Sequence, residues 1–115
     1  MSGTLDLNDQ DTWMPAGWVF DNVLAQLGDE LSASSPELAR ILREGITESS
    51  GGYVNLDIVS AEQLRGLLAA LEIVRARTLA QGRSSFHVPE FFEGYIEQLN
   101  SLIEMVRRDE RVAAP

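Results

Sequence analysis

The sequence predicts an all-α fold, an irregular four-helix bundle with one short extended segment over about residues 53–59. Three observations predict it. Four stretches carry apolar residues at helical spacing, two of them open on strong helix-start signals, and one stretch alternates with the period of a strand.

The first helix is expected to start near Pro15, which suits a first helical turn, and to run to about Leu31. Its apolar stripe is Phe20, Val23, Leu24, Leu27 and Leu31, and Gly28 weakens its last turn. Ser35 followed by Pro36 starts the second helix, because the hydroxyl can accept from an orphan amide and proline has no amide to lose. Leu38, Ile41 and Leu42 form its buried face, Glu37 lies in its first turn, and Gly45 is expected to close it in the left-handed conformation.

Residues 46–52, ending in Gly51-Gly52, read as a flexible loop. Tyr53 to Val59 then alternates, with Val54, Leu56 and Ile58 on one side and Tyr53, Asn55 and Asp57 on the other. A lone strand leaves its backbone groups unsatisfied, so the segment either pairs with another strand, for instance across a dimer, or is extended without pairing. The unpaired form is the expectation.

Ser60-Ala-Glu-Gln63 fits a capping box and opens a long third helix reaching about Gln81, before Gly82. Leu64, Leu67, Leu68, Leu71 and Val74 make its core stripe, with Arg75 and Thr78 close to the same stripe. For Arg75 the sequence leaves two readings, an ion pair with another helix or a snorkelling side chain that covers apolar surface. The fourth helix is expected from near Pro89 to about Arg111, with Phe92, Tyr95, Ile96, Leu99, Leu102, Ile103 and Val106 inward. Glu90, Glu93, Glu97 and Glu104 fall within an arc of roughly 60° on its other side, and Arg107, Arg108 and Arg111 lie where positive charge favours the helix dipole.

Residues 1–11 have little to bury and a local excess of negative charge, so they read as a mobile acidic arm. Residues 12–111 read as a single helical domain, and residues 112–115 as a frayed tail. A length of 115 residues and an apolar fraction of 44% suit one continuous core.

Composition narrows the chemistry. Cysteine is absent and His87 is the single histidine, so the usual zinc ligand sets cannot be assembled within one chain; no metal and no cofactor are expected. A formal net charge of -9 argues against binding a phosphate backbone, so nucleic acid is not an expected partner. Residues 1 to 34 hold six acids and no base, whereas residues 60 to 84 hold four arginines against two acids, so the field is lopsided. All nine basic residues are arginine, which reads more simply as nucleotide bias than as selection for bidentate contacts. No apolar run reaches about 18 residues and the N-terminal stretch is acidic, which points to a cytoplasmic protein with no membrane partner.

No catalytic motif emerges. Ser84 and Ser85 precede His87 by three and two positions, a spacing typical of loop chemistry, and no Gly-x-Ser-x-Gly turn exposes a nucleophile. Glu93 and Glu97 lie one turn apart but face away from the apolar stripe, as a solvated acidic face does. Gly51-Gly52 lacks the Lys-Ser/Thr pattern of a phosphate-binding loop and reads as a hinge.

Trp18 carries more information. Its wheel position is opposite the Phe20, Leu24 and Leu27 stripe, among Asp21, Asn22, Ala25 and Asp29, so it faces outward. Exposed aromatics ringed by polar residues are typical interface anchors. The alternative is that Trp13 and Met14 fold over it, or that a neighbouring helix covers it.

These features point to a small acidic protein-binding module of the antagonist, immunity or chaperone class, docking on a basic or mixed protein surface. The expected contact residues are Trp18, Asp21 and Asp29, with Tyr53 and Asp57 on the extended segment and Glu93 and Glu97 as a second face. One alternative is a small-molecule-binding or enzymatic bundle whose pocket between the third and fourth helices gathers Tyr95, Arg75 and His87. Another is a structural homodimer, which would leave a large apolar face uncovered in the monomer.

Overall fold

Thr4-Leu5-Asp6-Leu7 repeats with a period of two, and that short alternation organises one end of the molecule. The computed structural model describes residues 3–46 and 52–113. Thr4–Asp6 form strand β1, with Leu5 and Leu7 fully buried. The expectation of a mobile arm over residues 1–11 is therefore corrected for residues 3–11; residues 1–2 lie outside the described residues. Two leucines on one face contribute roughly 1.5–3 kcal/mol each when buried, enough to order a segment that has strands to pair with.

Strand β2 (Thr12–Trp13) pairs antiparallel with β1, Leu5 opposite Trp13, across a turn in which the Asn8 Oδ1 accepts from the amides of Gln10 (2.9 Å) and Asp11 (2.8 Å). Strand β3 (Tyr53–Asn55) pairs parallel on the other side of β1, Leu5 opposite Val54. The order is β2-β1-β3. The extended segment is thus paired, which corrects the unpaired expectation, and a small mixed sheet turns the all-α reading into a predominantly helical one. Bonds from Thr4 N to Gly52 O and from Leu56 N to Asp6 O, both 2.8 Å, lengthen the parallel ladder. Residues 47–51, with most of the expected loop and its Gly51 hinge, lie outside the described residues.

A parallel pair needs a crossover, and helices α1 (Gly17–Leu31) and α2 (Pro36–Ile46) supply it. The α1 stripe is buried as the spacing predicts. Gly45 lies inside α2, and its φ is not positive, so it is not the left-handed cap expected of it. It is small because α2 crosses β3 closely: a Cβ there would collide with Val54 Cγ2 and stand 3.3 Å from Tyr53 O. Gly45→Ala should therefore lower stability by about 1–3 kcal/mol despite alanine's better helix propensity, read as a lower urea midpoint. An unchanged midpoint would mean that the crossing opens without cost.

Helix α3 (Ala61–Gln81) carries the capping box in full: Gln63 N donates to Ser60 Oγ (3.1 Å) and Ser60 N to Gln63 Oε1 (3.0 Å). Gly82 ends it with φ 75°, and a 3-10 turn over Arg83–Ser85 leads toward helix α4 (Phe91–Arg108). Instead of continuing to Arg111, the chain becomes extended at Asp109 (φ -61°, ψ 136°) and restarts as helix α5 (Glu110–Ala113). Asp109 causes the restart, since its Oδ1 accepts from Arg111 N at 2.9 Å. Val112 packs on the core, so the tail is not frayed there; residues 114–115 lie outside the described residues.

The stripes of α1 to α4 meet in one apolar cluster that also takes in Leu5, Leu7, Trp13, Val54, Leu56 and Val59. Beneath it lies a charged clamp. Arg111 grips Asp109 through Nε to Oδ1 and Nη2 to Oδ2, both 2.9 Å, and Asn8 Nδ2 donates to Asp109 Oδ2 at 2.8 Å. The rest of the guanidinium donates to Leu7 O (2.7 Å), Leu56 O (2.7 Å) and Val59 O (3.0 Å). Arg111 thus ties the β1–β2 turn to the segment after β3, a different task from complementing a helix dipole.

Candidate functional site

Trp18, in the first turn of α1, is outside the core stripe as expected and keeps 45% of its surface exposed. Trp13 does not cover it. Trp13 is buried on the other side, 6.2 Å from the Phe20 ring, with its indole N–H donating to Gln98 O at 2.8 Å. The neighbours of Trp18 come from the turn before α4 and from α4 itself: it stacks on Phe91 at 5.6 Å and Tyr95 at 5.9 Å and meets Phe86 edge-on at 6.4 Å. Phe91, 51% exposed, extends the aromatic surface outward.

Tyr95 is the anchor of this cluster. Its ring is buried, its hydroxyl donates to Asn22 Oδ1 at 2.8 Å, and it accepts from Gln26 Nε2 at 3.1 Å. Gln26 Oε1 in turn accepts from Arg77 Nη2 (2.9 Å), and Arg77 is held by Glu30 (2.6 Å). Burial raises the Tyr95 phenol above its ordinary value, so it stays a neutral donor. Between α1, the end of α3 and the 3-10 turn this arrangement leaves a groove of about 270 Å³, walled by Trp18, Phe86 and Tyr95, with Gln81, Ser85 and His87 at its rim.

The expected contact residues divide into groups. Asp21 is one turn beyond Trp18 and exposed. Asp29 shares Trp18's side of α1 but lies about 16 Å further along the axis, where it pairs with Arg43 at 2.9 Å. Glu93 and Glu97 occupy the side of α4 turned away from Phe91 by the wheel count, and Glu93 pairs with Arg83 at 3.0 Å. Tyr53 and Asp57 are elsewhere, on and beyond β3. The Tyr53 hydroxyl donates to Asp6 Oδ2 at 2.7 Å and Thr12 Oγ1 to Asp6 Oδ1 at 2.8 Å. Those bonds lower the Asp6 pKa and raise that of Tyr53, tying the outer sheet face together. Asp57 borders a second, acidic groove of about 430 Å³ with Asp9, Asp11 and Glu110.

The pocket of the enzymatic alternative is only partly assembled. Tyr95 and His87 meet at the first groove, whereas Arg75 points to Asn100 Oδ1 (3.2 Å) and is absent from the lining. That hydrogen bond to an amide also replaces the ion pair considered for Arg75. Among the described residues no three His, Cys, Asp or Glu side chains are placed to hold a metal ion, and no helix is long and apolar enough to cross a membrane.

Phe86 and Phe91 were not legible as site residues. Their signal is the density of aromatics around Pro89, with Phe86 before it and Phe91-Phe92 after it, which marks a turn with more apolar surface than a loop needs.

No protein-family model and no curated protein sequence matches the chain. A chain in the solved structure of the CdiA-CT toxin from Burkholderia pseudomallei E479 in complex with cognate CdiI immunity protein has the same fold: TM-score 0.77, 20% identity, covering 96% of this chain and 98% of that one.

Proposed function

We propose that this chain is an immunity-type protein, which binds and neutralises a toxin domain through the aromatic surface around Trp18. The observation that carries the reading is the fold shared, along nearly its whole length, with a chain of a toxin–immunity complex. Of the two proteins in that complex, the immunity protein is the one whose role suits a net charge of -9 and a site built of aromatic and polar groups without a carboxylate or cation in its lining. The function is then one of binding and not of catalysis, and the partner is a protein whose contact surface is basic or mixed.

Exposed aromatic residues support the location. Trp18 and Phe91 form a stacked pair half open to solvent, beside the exposed carboxylates of Asp21 and Glu90. A tryptophan stacked on the buried Tyr95 loses less freedom on docking than a free one, which is how interface anchors gain their large share of binding energy.

The test is co-expression of the chain with each protein encoded beside it in the source genome. The expected result is that one neighbour arrests growth of its host and that this chain restores growth while co-purifying with it. If no neighbour is toxic, or toxicity persists with the chain abundantly expressed, the reading fails.

A further inference from the structure

A groove of about 270 Å³ lies beside Trp18, and its chemistry is uneven. Its walls are the rings of Trp18, Phe86 and Tyr95; its rim carries Gln81 and His87, neither of whose side chains has a hydrogen bond or ion pair among the described residues. The one arginine in contact with the network below, Arg77, is already held by Glu30 and Gln26. Asp21 and Glu90, adjoining Asn22 and Phe91, also form no ion pair among the described residues. A cation entering here meets aromatic faces and the unpaired side chains of Gln81 and His87, with the carboxylates of Asp21 and Glu90 outside the lining, and the charge of Arg77 beneath is countered by Glu30.

We infer that this groove is an arginine-side-chain pocket, receiving one guanidinium from a basic protein partner against the Trp18 face. This rests on the immunity reading for the nature of the partner and adds the chemistry that the site recognises. A planar guanidinium stacks on an indole more readily than an ammonium does, and cation–π contact over tryptophan is the strongest of its class. Its fork also has in-plane donors for the Gln81 amide oxygen, which the groove sets beside the rings.

The experiment needs no toxin. Nuclear magnetic resonance separates the exposed Trp18 indole N–H from the buried Trp13 one, so the intact protein is titrated with N-acetyl-arginine methylamide, its lysine counterpart, the neutral citrulline isostere and norleucine methylamide. The arginine probe should shift the Trp18 indole and Tyr95 ring signals saturably in the millimolar range, with citrulline and norleucine about tenfold weaker. Trp18→Leu, which keeps apolar bulk at a half-exposed position, should abolish the response. An equal response to citrulline or norleucine, shifts spread over the acidic surface without saturation, an unaltered response in Trp18→Leu, or no response overturns the proposal. A failed toxin rescue beside a clear arginine response would reject the immunity reading alone, and the reverse pattern would reject the pocket alone.

Discussion

Replacing Arg111 with alanine should destabilise the protein by about 3–5 kcal/mol, the scale for removing one partner of a buried ion pair. Asp109 is 4% exposed and would keep a buried carboxylate with only Asn8 and a backbone amide beside it. The carbonyls of Leu7, Leu56 and Val59 would lose their donor as well. Lysine should recover little, because a single ammonium cannot reproduce the fork that reaches both the carboxylate and three carbonyls. Urea denaturation at neutral pH measures the effect; a loss under 1 kcal/mol would show that water replaces the guanidinium at no great cost. Acid dependence gives an independent reading. Arg111 first, with Asn8 assisting, holds the Asp109 carboxyl well below its ordinary value of 3.8. A depressed folded value means that the stabilisation is present above pH 3.8 and is lost as pH falls toward the folded value. Asp109→Asn should therefore be less stable at neutral pH and show a shallower fall in stability below pH 3.8.

For the complex, Trp18→Ala should cost about 2 kcal/mol of binding, close to a thirtyfold loss of affinity, expressed chiefly as faster dissociation. The loss in folding stability should be smaller, because the side chain is 45% exposed and its stacking on Phe91 and Tyr95 accounts for only part of its surface. Glu93→Arg provides the contrast. Glu93 lies on the other side of α4, so reversing its charge should slow association and alter its salt dependence while leaving dissociation nearly unchanged. Surface plasmon resonance on the cognate partner at two ionic strengths separates these cases. Unchanged dissociation in Trp18→Ala would move the interface away from the aromatic surface, with the acidic groove around Asp57 as the next place to look.

The helices were legible in the sequence because each repeats its apolar pattern over several turns and carries local start signals; Ser60 and Gln63 alone define the start of α3. The sheet was not. Strand β1 has three residues and its alternation, Leu5 then Leu7, is too short to outweigh the acidic character of its surroundings. Its pairing with β3 joins residues nearly fifty positions apart, which no local pattern encodes. Trp18 could be placed outside the core by wheel position, but the groove beside it depends on Phe86 and His87 arriving from a turn whose path follows from Gly82 and the 3-10 geometry. Arg111 looked like a helix-end charge for the same reason: the break at Asp109 exists only once Asn8 and the carbonyls of distant strands have come together.

The clamp also sets an order of assembly during synthesis. Leu7 is made about a hundred residues before the arginine that binds its carbonyl, an interval of roughly 5–20 s at ribosomal rates of 5–20 residues per second. Throughout that interval the Leu7 carbonyl waits for its final donor, and the surplus of carboxylates in the same segment supplies the mutual repulsion that keeps neighbouring unfinished copies apart.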